Sequence, residues 1–131
     1  MTGEKNLAKL IREMNPKLHG GNYVFVSVTD VSFINRADIL CEFKEPEGIT
    51  LVMEQKKADE FKFDYDFVAS WITLMVHSSL DAVGLTALFS SALAKHNISC
   101  NVIAGYYHDH LFVNAKDAEK AMSVLLRLSK K

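Results

Sequence analysis

Cysteine and proline are scarce, with two of each in 131 residues. Two cysteines cannot build the disulfide framework of a small secreted domain. Cys41 and Cys100 each fall inside an expected strand and read as buried thiols in a reducing compartment. No apolar run approaches the roughly 18 residues of a membrane span. The opening MTGEKNLAKL lacks the apolar core of a signal peptide, so the expected location is the cytoplasm. An excess of one charge is also missing: 15 basic residues stand against 16 acidic ones, a net charge of −1. The basic footprint of a nucleic-acid binder is therefore absent. What remains is 49% hydrophobic and 24% charged, a globular composition for one ordinary domain or two very small ones.

The most informative stretch is 70–114, SWITLMVHSSLDAVGLTALFSSALAKHNISCNVIAGYYHDHLFVN. Ile72, Leu74 and Val76 share one face of a strand over 71–76. The period then changes. Leu85, Leu88, Phe89, Ala92, Leu93 and His96 form one stripe of a helix of about four turns. Ser78, Ser79 and Asp81 are the candidate caps, and Asn97 is a plausible stop. A long strand is expected over 98–107, a turn at His108-Asp109, and a partner strand over 111–113.

The loop 77–85 joins a buried strand to a helix N-terminus, where unpaired N–H groups and the helix dipole favour an anion. A small carboxylate, such as that of an amino acid, suits such a place. Gly84 would let backbone approach a ligand closely. Alternatively, Gly84 serves only tight packing of helix on strand.

Elsewhere, Leu7, Leu10, Ile11 and Met14 predict a helix over 4–14, stopped by Asn15-Pro16. Gly20-Gly21-Asn22 is a turn, 23–28 a strand and 29–36 a loop. Ile39, Cys41 and Phe43 alternate on a half-buried strand, and Glu45-Pro46-Glu47-Gly48 turns it into a returning strand over 49–54. A short helix is expected over 55–60. Phe61, Phe63, Tyr65 and Phe67 then alternate with polar residues as a strand does, with an aromatic face for packing. After Asn114, Ala118, Ala121, Met122, Leu125 and Leu126 stripe a last helix, with Arg127, Lys130 and Lys131 at its C-terminal end. Asn114 and Asp117 resemble a capping pair.

The two halves repeat weakly. Tyr23-Val24-Phe25-Val26 corresponds to Trp71-Ile72-Thr73-Leu74, and Thr50-Leu51-Val52 to Leu111-Phe112-Val113, each of the latter running on into a helix. Both halves are versions of β-α-β-β-α-β. The first has a loop where its first helix should stand, and the second lacks its last strand. The expected fold class is α+β, with two small sandwiches dividing at 1–67 and 68–131.

The runs His77-Ser78-Ser79-Leu80-Asp81-Ala82-Val83-Gly84-Leu85-Thr86-Ala87 and Asn101-Val102-Ile103-Ala104-Gly105-Tyr106-Tyr107-His108-Asp109-His110, with Glu47-Gly48-Ile49-Thr50-Leu51-Val52, resemble bacterial stand-alone tandem ACT-domain proteins. These are related to the paired ACT modules of aspartokinase. The resemblance implies a ferredoxin-like fold in each half, side-by-side pairing, and a small ligand near the loop from first strand to first helix. On this sequence the ligand-binding residues would be His77, Ser78, Ser79, Leu80, Asp81, Ala82, Val83, Gly84 and Leu85. Asn101, Val102 and Ile103 would join them from the adjacent strand. Within that site, residues 80–85 would donate N–H groups to a carboxylate. Asp81 would accept from an ammonium group, Asn101 would orient polar atoms, and Val83, Leu85 and Ile103 would line the pocket.

Other chemistries fit less well. His108-Asp109-His110 offers metal-binding types, but Asp109 reads as the turn and no third ligand lies at a suitable spacing. A Ser/His nucleophile needs an orienting acid and an oxyanion hole as well. His77 and Ser78 would point to opposite faces of a strand, although Ser79 could reach His77. RNA-binding sheets share the element order but need stacking aromatics and a basic surround. The reading is a regulatory, non-enzymatic, dimeric protein that binds an amino acid and needs no cofactor or metal, with no nucleic acid or membrane as partner. The rival is a ligand-free dimerisation module.

Overall fold

Asparagine side chains begin several of the helical segments. Asn6 accepts from the Lys9 N–H at 3.0 Å and caps α1 (Leu7–Glu13). Asn35 and Asn114 do the same for two short 3₁₀ turns, Arg36–Asp38 and Ala115–Asp117. The computed structural model describes residues 3–130; Lys131, one of the expected terminal cations, lies outside them. The remaining elements are β1 (Pro16–Leu18), β2 (Tyr23–Val28), β3 (Cys41–Glu45), β4 (Gly48–Glu54), α2 (Gln55–Glu60), β5 (Val68–Leu74), α3 (Leu85–Lys95), β6 (Cys100–Ala104), β7 (Asp109–Asn114) and α4 (Ala118–Ser129).

The chain forms two compact units. One is contiguous, Gly21–Ala69; the other joins the described residues up to Gly20 with those from Ser70 onward. Strand β5 crosses the boundary.

In the contiguous unit β2 runs antiparallel to β4 over its whole length, from Tyr23↔Glu54 to Val28↔Ile49. Val68 and Ala69 close its other side. β3 returns onto β4 through the expected turn, with Glu45 opposite Gly48. Val24 and Val26 share a face with Met53 and Leu51, and Ala58 of α2 and Ile34 complete a core of their own. Ile34 comes from the loop that replaces a helix, so this loop is structural.

Two expectations fail here. Phe43 is 68% exposed, so the face it shares with Cys41 is not the buried one throughout β3. Residues 61–67 form no strand. The N–H of Lys62 donates to Asp59 C=O at 3.0 Å and that of Phe63 to Ala58 C=O at 2.9 Å, with Lys62 at φ 60°. This paired bonding is a Schellman stop for α2. The aromatics instead pack irregularly: Phe61 and Phe63 stack at 5.2 Å, with Phe33 edge-on to both.

In the second unit β5 lies between β1 and β7, and β6 pairs with β7. The last strand that the second half lacks is supplied by β1, with Pro16 opposite Leu74. Proline suits the first residue of such an edge strand, because it has no N–H to leave unpaired. As expected, Ile72, Leu74 and Val76 point into a core with Leu85, Phe89 and Leu93 of α3 and Leu125 of α4. Leu10 of α1 is fully buried in the same core. Helix α3 is eleven residues, shorter than four turns. It ends as α2 does: Asn97, at φ 59°, and Ile98 donate to Ala94 and Leu93 at 2.9 and 3.0 Å. His96 is exposed, Leu88 is only half-buried, and Leu126 is 40% exposed. The expected strand over 98–107 is shorter, because the turn comes earlier. Gly105 N–H donates to His108 C=O at 2.9 Å, and Asp109 is already the first residue of β7.

Candidate functional site

Residues 75–84 leave β5 and enter α3 as an irregular loop. Three features shape it. The first is a strap from the N-terminus. The Glu4 N–H donates to His77 C=O and the Ser79 N–H to Glu4 C=O, both at 2.9 Å, forming a short parallel bridge. A Cβ on Gly3 would stand 2.5 Å from the Ser78 carbonyl carbon, so only glycine fits this approach without a shift. The second is a tight turn. The Asp81 N–H donates to Ser79 Oγ at 3.1 Å, and the Ala82 N–H donates to Ser79 C=O at 2.9 Å. The third is the entry to α3. Gly84, not Ser78, Ser79 or Asp81, is the cap; it has φ 98° and offers no side chain to the first turn. Among the described residues no side chain caps this first turn, whose N–H groups belong to Leu85, Thr86 and Ala87.

The expected site residues divide on this frame. His77, Ser78 and Ser79 are drawn together under the strap. The His77 ring lies 5.1 Å from that of Tyr107 and 6.4 Å from that of Tyr106. The Ser78 hydroxyl bonds Asp109, which is buried at the start of β7. Burial pushes the Asp109 carboxyl up from its ordinary value, against the opposing pull of His110, Ser78 and His108. Leu80 and Val83 project into solvent, and the exposed Asp81 carboxylate lies 3.9 Å from Lys5 Nζ. Ala82 and Val102 pack against the core, and Leu85 is buried within it. They do not line an open surface. Asn101 and Ile103 lie opposite Phe112 and His110 on β7, on the other sheet face from Val102. The Asn101 amide donates to Phe112 C=O at 3.4 Å. Two of the expected backbone donors, Asp81 and Ala82, are already used within the loop.

Glu4, Tyr107 and Asp109 were not among the expected residues. Asp109 lay hidden by the misplaced turn. The glycine at position 3 was the sequence sign of a close approach, but nothing local says what approaches.

The histidines do not converge on a metal. Among the described residues no group of three metal-binding side chains occurs. The His108 ring N–H donates to Val76 C=O at 3.2 Å. His110 belongs to a hydrogen-bonded set with His19, Trp71 and Thr73. Both cysteines are free, and burial raises the Cys100 thiol to about 11.

In the contiguous unit, the loop after β2 borders a cleft of about 380 Å³ lined by Ser27, Asp30, Phe33, Lys62 and Asp64, among others. Asp30 is held there by the N–H and hydroxyl of Ser32, at 2.9 and 3.0 Å.

Residues 2–70 match one family model described as ACT domain, and residues 67–127 match another of the same description. No curated protein matches the chain. A crystal structure from Vibrio cholerae, of a protein of unknown function described as a possible transport protein, is similar at 44% identity. The match covers 95% of this chain and 97% of that one, with a TM-score of 0.84. A protein from Agrobacterium tumefaciens shares the fold at 17% identity and TM-score 0.70, over 89% and 90% of the two chains. So does the ligand-free regulatory subunit of aspartate kinase from Thermus thermophilus, at 9% identity and TM-score 0.60, over 88% and 98%. With an ACT model matched in each half, this chain belongs to the ACT-domain family.

Proposed function

We propose that this protein is a cytoplasmic, non-catalytic regulator that binds an amino acid at the loop 77–85 of its second ACT domain, with the domains dividing at 67/68. One observation carries the reading: α3 begins at a glycine, and no side chain caps its first turn. A ligand carboxylate would take the N–H groups of Leu85, Thr86 and Ala87, where the helix dipole favours negative charge. Exposed Asp81 would accept from the ligand ammonium group in exchange for its distant contact with Lys5. Asn101 and Ile103 would contribute from β6. The regulatory subunit with the same fold supports a regulatory role, and any output would run through another chain.

A second reading, a ligand-free dimerisation module, draws on the exposed apolar residues of this region: Leu80 at 68%, Val83 at 84% and Tyr106 at 63%. A thermal-shift panel of the twenty amino acids separates the two. A ligand at about 100 times its dissociation constant contributes roughly 2.7 kcal/mol and raises the midpoint by about 5 °C or more. One clear hit names the effector. A flat panel, with dimers that Leu80→Asp and Val83→Asp dissociate, would establish the interaction module instead.

A further inference from the structure

A second cavity lies away from the loop, in the groove between α3 and α4, with a volume of about 540 Å³. Its walls are Leu88 and Ala92 from α3 and Val124 and Leu128 from α4. The spacing explains the groove. Leu88 and Ala92 are one turn apart, as are Val124 and Leu128, so each helix presents a short apolar ridge. Ala92 is too small to fill the space between them. Val124 is almost fully buried at the floor, whereas Leu88 and Leu128 are half-buried at the sides.

The groove's charge has one sign. Lys95 and Arg127 line it, and no carboxylate does. Neither cation enters an ion pair among the described residues. Lys95 stands in the last turn of α3 and Arg127 in that of α4. Among the described residues the Arg127 guanidinium is held only by Ser123 of its own helix, through contacts of 3.4 Å to the carbonyl and 3.3 Å to the hydroxyl. These are long bonds, and most of its five N–H donors remain for another acceptor. The neighbouring groove on the other side of α4 differs, since Glu119 lines it beside Arg127 and Lys130.

We propose that the α3–α4 groove binds a carboxylate carried on an apolar body, with the apolar part between Leu88, Ala92, Val124 and Leu128 and the carboxylate between Lys95 and Arg127. The volume falls within the range of small-molecule sites, about 300–1,000 Å³. Apolar walls bordered by two cations and no carboxylate are complementary to an amphiphilic acid. A neutral amphiphile would leave both cations unused, and a free amino acid would set its ammonium group against them.

The test is an NMR titration of the full chain, isotope-labelled, with octanoate below its micellar concentration and octanol as the uncharged control. Saturable shifts are expected at 88–96 and 124–128. Lys95→Gln and Arg127→Gln should each weaken octanoate about fivefold, the worth of an exposed ion pair near 1 kcal/mol, and leave octanol unchanged. Both substitutions are on the surface and leave the core intact. Shifts centred on 77–85, an octanol affinity equal to that of octanoate, or an unchanged affinity in the double variant would each overturn the proposal.

Discussion

The indole N–H of Trp71 donates to Nδ1 of His110 across 3.1 Å, which settles where the proton of that imidazole sits. Indole only donates, so Nδ1 must accept and the proton is on Nε2. Thr73 Oγ1, 3.0 Å from the same Nδ1, must then donate as well. Its oxygen is left to accept from His19 Nε2 at 2.7 Å. The His19 ring also stacks on Trp71, with centroids 3.5 Å apart. The set ties the residue after β1 to β5 and β7, with the His110 imidazole neutral.

Protonation at His110 Nδ1 would set its N–H against the Trp71 indole N–H, which can only donate, so acid should loosen this set. Burial lowers the affinity of His110 for a proton, helped by His108 and opposed by Asp109. Burial also lowers that of His19, with Lys17 and His110 adding to the effect. Between the folded values and the unfolded value near 6.5, the unfolded chain binds more protons. This contribution is therefore complete above about pH 6.5 and declines as the pH falls below it. Thermal midpoints at pH 7.5, 6.5 and 5.5 should fall in that order, and His19→Gln should flatten the slope. Trp71, the only tryptophan, reports the same event by fluorescence. A midpoint constant across this window would refute the linkage.

Gly84 holds φ 98°, a conformation that residues with a side chain rarely adopt. A Cβ there would also meet Leu7 Cδ2 at 3.2 Å. Gly84→Ala should cost about 1–3 kcal/mol in urea denaturation and weaken α1 at its first turn. A cost within ~0.5 kcal/mol, as for an ordinary surface change, would show that the loop relaxes freely.

Lys62 occupies the left-handed position of the α2 stop, where glycine is usual. Lys62→Gly should stabilise the protein by about 0.5–1 kcal/mol, because the relief of the left-handed penalty exceeds the entropy that glycine adds. Equilibrium denaturation decides it; a loss of stability would mean that the Lys62 side chain contributes more than its backbone strain costs.

Local signals were legible and long-range ones were not. The α2 span, the turn at Pro46-Glu47, the strand 23–28 and the buried face of Ile72, Leu74 and Val76 all follow from spacing and turn chemistry within a few residues. Phe61, Phe63, Tyr65 and Phe67 misled because an alternating pattern cannot reveal a helix stop whose hydrogen bonds reach back to Ala58 and Asp59. The turn after β6 was misplaced because polar His108-Asp109 looked like a loop, whereas Ser78 satisfies Asp109 inside the fold. Pro16–Leu18 was invisible as a strand, being short and bounded by proline, and its partner lies more than fifty residues away. The loop 77–85 was found as a segment. Which of its residues face solvent depended on Glu4 and Leu7, which no local pattern connects to it.

The unit built from both ends of the chain sets an order of events during synthesis. Helix α1 and strand β1 leave the ribosome before β2, β3 and β4, yet their partners β5, α3 and α4 are made after them. The residues between, Gly21–Ala69, are contiguous and can pair β2, β3 and β4 as they emerge. For a delay on the order of seconds, Leu7, Leu10, Ile11 and Met14 have no surface to bury against. The long-range closure of α1 and β1 onto β5, α3 and α4 is thus the step expected to set the refolding rate.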